Sequence, residues 1–358
     1  MVRQAWIHDA FTGAPLMPVY PTAARWTMRL KGSESASATF NLNDDLMGQL
    51  PQPLLADLFR ENARMLMIRD GSAVEFYGPI VKVVDDPLTG VMQVECKGER
   101  DKAANRYTFP ANDINIAPLV IASRSHSGAV RAILERFMLW SAEWHLPIDL
   151  PVDSSGVYSR TVYGWEAQTI SQLIAGVEAE GSEVWLRPYL AEDGSGRFQP
   201  RVASQVTLGS YTDIMSAAPQ SPLLKLQRSS DGANQATGVV VLGRGSERDT
   251  KSAWAGFMAG PVIPVSDVVL TKKDIANTAS LARIAQAELA KRRYPNQQWS
   301  MEFSTEKVSV GRLLPGSLIR LDVRNDRLKP DGQYLLRVIA LSGTWGSTQV
   351  SPEVQAYG

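Results

Sequence analysis

The stretch that most constrains the fold is residues 279–323, where the spacing of apolar residues changes from helical to alternating. Tyr294-Pro295 ends the helical part, and Leu314-Pro315-Gly316 supplies a tight turn between two strand-like runs. A helix beside short, turn-linked strands predicts a small β-barrel or sandwich with a helix on its flank. The pattern places no catalytic group. The apolar positions are Leu281, Ile284, Ala285 and Leu289 in the helix and Trp299, Met301 and Phe303 in the following strand.

Composition limits the classes of protein to which this chain can belong. Its 358 residues suffice for two or three domains, each with its own core. Lysine and arginine together number 37, as do aspartate and glutamate, and this balance disfavours a protein that grips duplex DNA. The one cysteine, Cys96, excludes an intramolecular disulfide framework and a cysteine-rich metal site. Its place in a strand pattern predicts a buried, inert thiol.

Two further expectations concern where the protein resides. The first residues show no secretory signal, and no run of about 18 apolar residues occurs. We therefore expect no stable membrane insertion and a protein that is made in a cytoplasm and soluble there.

Residues 1–108 are predicted to form a first small β-barrel. The clearest signal is Asp70-Gly71 between apolar runs at 64–69 and 74–84, because glycine adopts the left-handed turn conformation at little cost. About six strands, most with one polar side, are enough for a small closed or sandwich-like domain. The other clear strands are predicted at 25–30, 37–42 and 91–97.

Residues 109–235 are predicted to be an α+β insertion. Ser127 can cap a first helix, and Thr169 with Gln172 forms a capping box that begins a second helix. Strands at 183–190 and 197–202 then flank a glycine-rich turn, which indicates a hairpin. The first helix presents Val130, Ile133, Leu134, Phe137 and Ser141 on one face, with Trp140 and Trp144 beside them.

Residues 236–358 are predicted to form a second β-barrel with the flanking helix. A strand at 237–242 leads into a long loop over 243–261, and a strand-like run over 262–270 re-enters a sheet. Both halves of the chain contain hairpins of similar length, which favours two related barrels. The predicted fold class is therefore α+β and mainly β, with two similar small barrels flanking the insertion. The last strands are predicted at 332–342 and 348–354.

None of the spacings needed for catalysis, metal binding or cofactor binding occurs in the sequence. There is no G-x-S-x-G elbow, and His8, His126 and His145 lie in no zinc pattern, so each is expected to be a surface or capping histidine. Gly243-Arg244-Gly245 lacks the third glycine of a dinucleotide loop, and the pairs Asp44-Asp45 and Asp85-Asp86 are expected to cap turns. We predict no catalytic, metal or cofactor residues, no cofactor and no enzyme activity.

The nine tryptophans divide into two groups by their predicted surroundings. Those in or beside strands are expected in the core, and the others could serve a partner surface, although core is the better interpretation of each. The first group is Trp26, Trp165, Trp185, Trp299 and Trp345, and the second is Trp6, Trp140, Trp144 and Trp254.

The order of these pieces resembles the baseplate hub proteins of tailed phages. The resemblance rests on RWTMRLKGSESASATFNL and GPIVKVVDDPLTGVMQVECKGER in the first domain, TISQLI leading to EVWL in the insertion, and LARIAQAELAKR with LLPGSLIRL in the last. More closely, the chain is similar to the minor tail or tail-associated hub proteins of long non-contractile-tailed (siphovirus-like) phages, especially those of actinobacterial hosts. The resemblance covers essentially the whole chain in organisation.

This resemblance implies a structural virion protein of the tail tip, assembled in the host cytoplasm. Such proteins are homotrimers whose two barrels per chain make a pseudo-sixfold ring. The ring docks on the hexameric distal tail protein and leaves a lumen for the tape measure protein and then for DNA in transit. Other tail-tip or receptor-binding proteins are the remaining expected partners. Many relatives carry a cell-wall hydrolase after the second barrel, and this sequence shows none, so lysin activity is not carried over.

Three alternatives remain open at this point. A glycan-binding tail module would be favoured if exposed tryptophans lined a groove. A cell-wall hydrolase would need a nucleophile or an acid pair, and the sequence offers neither. An equivalent hub in a related injection device or gene-transfer particle would share the same sequence features.

Overall fold

A computed structural model describes residues 3–110, 113–138, 145–209, 211–256, 263–273, 275–328 and 331–357. The helices are α1 (Gln52–Leu58), α2 (Glu99–Ala103), α3 (His126–Phe137), α4 (Ile170–Ala179) and α5 (Thr278–Arg292). The first strands are β1 (Gln4–Asp9), β2 (Pro15–Val19), β3 (Ala23–Arg29), β4 (Ser35–Asn41), β5 (Arg64–Asp70), β6 (Ala73–Asp86), β7 (Val91–Lys97), β8 (Leu119–Arg124), β9 (Tyr158–Val162) and β10 (Glu183–Leu190). They are followed by β11 (Gly196–Ala203), β12 (Tyr211–Met215), β13 (Leu223–Asp231), β14 (Gly238–Leu242), β15 (Ser252–Gly256), β16 (Asp267–Thr271), β17 (Asn296–Ser304), β18 (Leu318–Val323), β19 (Gly332–Thr344) and β20 (Gln349–Ala356).

The chain divides into two compact units. The first comprises Met1–Lys225 and Met301–Gly358, and the second comprises Leu226–Ser300. The chain therefore leaves the first unit along β13 and returns to it along β17. The three segments predicted from the sequence, with boundaries near residues 108 and 235, stay a prediction. In the described part of the chain, no helix is long and apolar enough to span a membrane.

One large antiparallel sheet dominates the first unit, and the fold is mainly β and α+β as predicted. Its strands follow the order β20-β19-β3-β4-β7-β6-β5-β1-β2, while β18 pairs with β19 and, in parallel, with β12. The prediction of two separate barrels is not confirmed, because β3 from the first predicted barrel pairs directly with β19 from the second. Among the described residues no closed barrel forms. The backbone groups on the edges of β3 and β19 satisfy each other, which joins the two sets of strands.

The strands predicted between residues 25 and 97 are observed, whereas β1 and β2 before them were missed. The hairpin of β5 and β6 around Asp70-Gly71 is confirmed, and Gly71 has a φ of +61°. The missed β2 contains Pro15 and Pro18, and it lies at the end of the sheet, where proline is tolerated. The short strands β8, β9 and β12 were also missed within the predicted insertion.

Helix α3 begins two residues earlier than the predicted cap implies. Ser125 is the N-cap, and its side chain accepts a hydrogen bond from the backbone N–H of Gly128 at 3.1 Å. Ser127 instead donates its hydroxyl to the carbonyl of Val152. Both serines precede the apolar face, so the sequence does not show which of them is the N-cap. The extended backbone of Ser125 identifies it as the cap. Trp140, Ser141 and Trp144 lie outside the described residues, and the capping box of α4 at Thr169 is confirmed.

The second unit is a three-stranded sheet with α5 packed against it. Strand β14 lies in the centre, antiparallel to β15 and parallel to β16. The predicted apolar face of α5 is confirmed, since Leu281, Ala285 and Leu289 are buried against Val239 and Val241. The segment 243–261, predicted to be a loop, contains β15, whose short run of small residues has little alternation.

A tight junction joins the β10–β11 hairpin to the first strands of the large sheet. The buried ring of Tyr77 stacks on Phe198 with 5.0 Å between centroids, and its hydroxyl donates to the carbonyl of Gly196 at 3.2 Å. The N–H of Gly196 in turn donates to the carbonyl of Gly13 at 2.8 Å. His8 also lies 2.8 Å from that carbonyl through Nδ1 and is buried, so it is not a surface residue, while its contact with a loop carbonyl agrees with the expected capping role.

Gly13 is the least replaceable residue of this junction. It has a φ of +72°, and an added Cβ would lie 2.1 Å from the carbonyl oxygen of Gly196. Gly32 has a φ of +94° but no atom within 4 Å of the same position, which makes it a matched control. We expect Gly13→Ala to lower the free energy of unfolding by about 3 kcal/mol and Gly32→Ala by about 1 kcal/mol. If urea denaturation showed the same loss of unfolding free energy in both variants, the close approach of Gly13 to Gly196 would be contradicted.

Candidate functional site

The outward face of the shared sheet in the first unit is unusually rich in hydroxyl side chains. Strand register sets them in rows, because residues opposite each other on neighbouring strands point to the same side. The first row crosses five strands as Ser351, Ser342, Thr27, Ser35 and Lys97, and the second as Thr344, Arg25, Ser37, Glu95 and Lys82. We name these ten residues the hydroxyl face.

Alternate residues of the same strands form the core on the other side of the sheet. Trp26 lies between Gly343 and Ala36, and Ala36 pairs with Cys96. All four are buried. Gly343 is required here, because an added Cβ would lie 2.5 Å from the indole of Trp26. The hydroxyl face is thus held in place by a large aromatic side chain directly beneath it.

The guanidinium of Arg3 fixes the position of that indole. It lies 5.0 Å from the centre of the Trp26 ring and donates through Nε to the buried carboxylate of Glu75 at 2.8 Å. Burial raises the pKa of Glu75 and the neighbouring Arg3 lowers it, and the net direction is upward. The arrangement anchors the N-terminal part of the chain to the centre of the sheet.

The hydroxyl face carries three cations, Arg25, Lys82 and Lys97, and one carboxylate, Glu95, and it lines an open recess of about 570 Å³. Glu95 pairs with Lys82 at 3.0 Å, and Glu302, at the rim of the recess, pairs with Lys225 at 3.4 Å. The hydroxyls of Thr27 and Ser342 lie 3.0 Å apart and hydrogen-bond across the strand pair. Such a surface is mainly polar and bears a small net positive charge.

No residue set suited to catalysis or metal binding adjoins this face. Cys96 is buried as predicted, and burial raises the pKa of its thiol, so the reactive thiolate is disfavoured. No cluster of metal-ligating side chains occurs in the part of the chain that the structure describes. The predicted turn aspartates act as predicted, since Asp44 accepts from two backbone N–H groups and Asp86 from the N–H of Leu88.

The remaining sequence candidates are dispersed over the chain. His126 begins α3 and hydrogen-bonds to the Ser182 hydroxyl, while His145 is exposed. Gly245, after β14, has a φ of +114° and belongs to a turn, which agrees with the rejection of a dinucleotide loop. These residues are not brought together, and the hydroxyl face itself was not foreseen.

The described tryptophans follow their predicted surroundings with two exceptions, Trp165 and Trp254. Trp26, Trp185 and Trp299 are buried and Trp345 is half-buried, as expected for core residues. Trp165 is 64% exposed, so its predicted core position was wrong. It lies on a short 3₁₀ turn that follows β9, where it stacks on Tyr163 with 4.3 Å between ring centroids. Of the second group, Trp254 is 65% exposed and Trp6 is half-buried.

Comparison with solved structures identifies the architecture. The chain matches the 43 kDa tail protein of prophage MuSo2 from Shewanella oneidensis with a TM-score of 0.61 and 8% identity, over 99% of this chain and 98% of the other. It matches a tail protein from Neisseria meningitidis MC58 with a TM-score of 0.57 and 11% identity, over 99% and 96%. The chain has the fold of phage tail proteins. No protein-family model and no curated protein sequence matches it.

A third match extends the fold beyond phages. The E. coli protein c3393, described as a component of the type VI secretion system with structural similarity to the T4 tail proteins gp27 and gp5, matches with a TM-score of 0.52. Identity is 8%, and the match covers 95% of this chain and 74% of the other. Likeness at this level of identity establishes the shared fold, and the resemblance inferred from the sequence is confirmed in that sense.

Two buried carboxyl groups lie beside the loop that joins β3 to β4. Glu34 accepts hydrogen bonds from the N–H of Arg29 at 3.2 Å and from the indole of Trp185 at 3.3 Å. Glu99, at the start of α2, is buried, and neither of its carboxyl oxygens has a partner among the described residues. Burial raises the pKa of Glu34 to about 7 and that of Glu99 to about 8. Both groups hold a proton more tightly in the folded chain than in the unfolded chain.

The raised pKa values predict a dependence of stability on pH. An acid whose pKa is higher in the folded state makes the free energy of unfolding fall as pH rises from about 5 to 8. We expect Glu99→Gln to reduce that fall by roughly 1–3 kcal/mol, measured by urea denaturation across this range. Glu95→Gln, at an exposed glutamate paired with Lys82, should leave the fall unchanged. An unaltered pH profile in Glu99→Gln would show that this carboxyl does not titrate as described.

Proposed function

We propose that this chain is a structural virion protein: a trimeric hub at the phage tail tip, without catalytic activity. The observation that carries the proposal is the match to tail proteins over 99% of the chain. The segments 1–108 and 236–358 are proposed as the two hub domains, with 109–235 inserted between them. Three chains then supply six similar domains, which would form a ring. This ring would match a sixfold-symmetric neighbour on one side and a threefold-symmetric one on the other.

The hydroxyl face is proposed to line the central channel. Six of the ten residues of this face carry short hydroxyl groups, and three cations against one carboxylate leave a net charge of only +2. A wall with a strong positive charge would hold passing DNA by releasing its counterions. The small net charge of the hydroxyl face would keep that retention weak. The firm support of this face by Trp26 and Gly343 would keep the wall rigid while material passes.

The proposed partners follow from this position in the particle. They are two further copies of the chain, the hexameric distal tail protein, the tape measure protein and other tail-tip or receptor-binding proteins. DNA would contact the protein only in transit, and the protein would be assembled in the host cytoplasm and reside at the tail tip of the virion. The match to c3393 supports an equivalent hub in a related injection device as the nearest variant of the same proposal.

The trimer is the first consequence to measure. Mass photometry or light scattering of the purified full chain over a concentration series is expected to show a species of three chains, or a shift from one chain to three. A distal tail ring added at low concentration should promote the trimer if association requires the sixfold neighbour. A strict monomer at the highest concentration, with and without the ring, would contradict the proposed hub.

A second candidate function is supported by one observation. The stacked Tyr163 and Trp165 are both exposed, and Glu166 fixes their turn by accepting the N–H of Tyr163 at 2.9 Å. An exposed, rigid aromatic pair suits the apolar face of a sugar ring, as in a glycan-binding tail module. On a glycan array, such a module should bind host-surface glycans, and Trp165→Ala should abolish binding while Trp254→Ala does not. Absence of any bound glycan would exclude this candidate.

A further inference from the structure

The β10–β11 hairpin brings two arginines together on one of its faces. In its register Trp185 lies opposite Arg201, and Arg187 lies opposite Gln199. Arg187 and Arg201 are therefore diagonal neighbours on the same side of two paired strands, within reach of each other's long side chains. Arg187 is half-buried and Arg201 is exposed. The hairpin is antiparallel over eight residue pairs, which gives both arginines a rigid base.

Several arginines elsewhere in the chain form ion pairs with carboxylates. Arginines that form such pairs include Arg3, Arg64, Arg100, Arg197, Arg320 and Arg337. The side chains of Arg187 and Arg201 form no ion pair and no hydrogen bond with any residue that the structure describes, and the Nε of Arg187 is buried without a partner. Two adjacent cations without a counter-charge repel each other, so this face of the hairpin lacks a negative group that would offset the repulsion.

Two carboxylates at the ends of this hairpin face already have other partners. Asp149 accepts from Arg197 at 2.7 and 2.9 Å, and the hydroxyl of Tyr189 also donates to it. Glu183 is held by Arg337 at 2.6 and 2.9 Å. The chain therefore neutralises both ends of the hairpin face and leaves its middle positive.

This arrangement destabilises the charged form of the Arg187 side chain. Burial lowers the pKa of its guanidinium, and the charge of Arg201 lowers it further. An anion between the two guanidinium groups would offset both the burial of Arg187 and its repulsion from Arg201. It would accept hydrogen bonds from the unused N–H groups and neutralise part of the positive charge.

We propose that Arg187 and Arg201 form a binding site for a phosphate group. The two guanidinium forks offer planar donors that match phosphate oxygens, and a total charge of two suits phosphate better than a single carboxylate. Gln199, opposite Arg187, adds a neutral side chain that can donate or accept at the same place. The phosphate is either the free ion or part of a nucleic acid, and the site is independent of the proposed hub.

The direct test titrates the full chain with inorganic phosphate at constant ionic strength, using sodium chloride for compensation. Calorimetry and the melting temperature are the two measurements. We expect phosphate to bind and to raise the melting temperature of the wild-type chain. The affinity for phosphate should fall about tenfold or more in Arg187→Gln and in Arg201→Gln, because each variant loses charged hydrogen bonds to the phosphate. Arg312→Gln, at an exposed arginine far along the sequence, is the matched control and should bind as the wild type does.

A second expectation separates binding from damage to the fold. Without phosphate, Arg201→Gln should melt at the same temperature as the wild type or higher, because it removes the repulsion on Arg187. Failure of phosphate to bind the wild type, or equal binding by both variants and the wild type, would overturn the proposal. A melting temperature of Arg201→Gln that is lower without phosphate would also contradict it.

The source of the phosphate is resolved by competition. A short DNA duplex is added to the phosphate-bound chain at the same ionic strength. If the DNA displaces phosphate from the wild type and binds Arg187→Gln at least tenfold more weakly than it binds the wild type, the site binds nucleic-acid phosphates. If phosphate stays bound in the presence of DNA, the site binds the free ion. Both results support the site and differ only in its natural ligand.

Discussion

The antiparallel pairing of β3 with β19 is the interaction on which the rest of the structure depends. It joins a strand near the start of the chain to one near its end, with Thr27 opposite Ser342 and Trp26 opposite Gly343. This register assigns hydroxyl residues to one side of the sheet and core residues to the other. A shift by one residue would exchange the two sides and expose Trp26. Gly343 prevents that shift because only a residue without a Cβ accommodates the indole.

The same sheet also carries the insertion. Tyr77 on β6 reaches the β10–β11 hairpin through Phe198 and Gly196, and Gly13 approaches the same hairpin from the loop between β1 and β2. The position of the paired arginines on that hairpin therefore depends on the large sheet. The hydroxyl face and the arginine pair are chemically different surfaces, one made mainly of hydroxyl groups and one of two guanidinium groups, and the same large sheet supports both.

Much of the local structure could be predicted from the sequence, because local signals determine it. The capping box at Thr169, the turn at Gly71 and the apolar face of α5 each depend on a few neighbouring residues. The shared sheet could not be predicted in this way, because β3 and β19 are some 300 residues apart in sequence. The residues around each strand do not show which distant strand it pairs with or in which register. Two separate barrels were expected for that reason.

The candidate surfaces were less predictable still. Single serines along β3, β4 and β19 are ordinary in sequence, and they form rows only when the strands are aligned. Trp165 was expected in the core because it was assigned a place in or beside a strand, yet it lies on a short exposed turn. The resemblance to tail proteins came from the order of the elements, which survives where identity falls to 8%.

The central claim is that the hydroxyl face lines the channel of a trimeric hub. Electron microscopy of the trimer, alone or on a distal tail ring, tests it most directly by locating β3, β4, β7, β19 and β20 relative to the threefold axis. The account predicts a ring with a central hole and with Thr27, Ser37 and Ser342 on its wall. A ring whose hydroxyl face lies on the outer surface, or between neighbouring chains, would contradict the account.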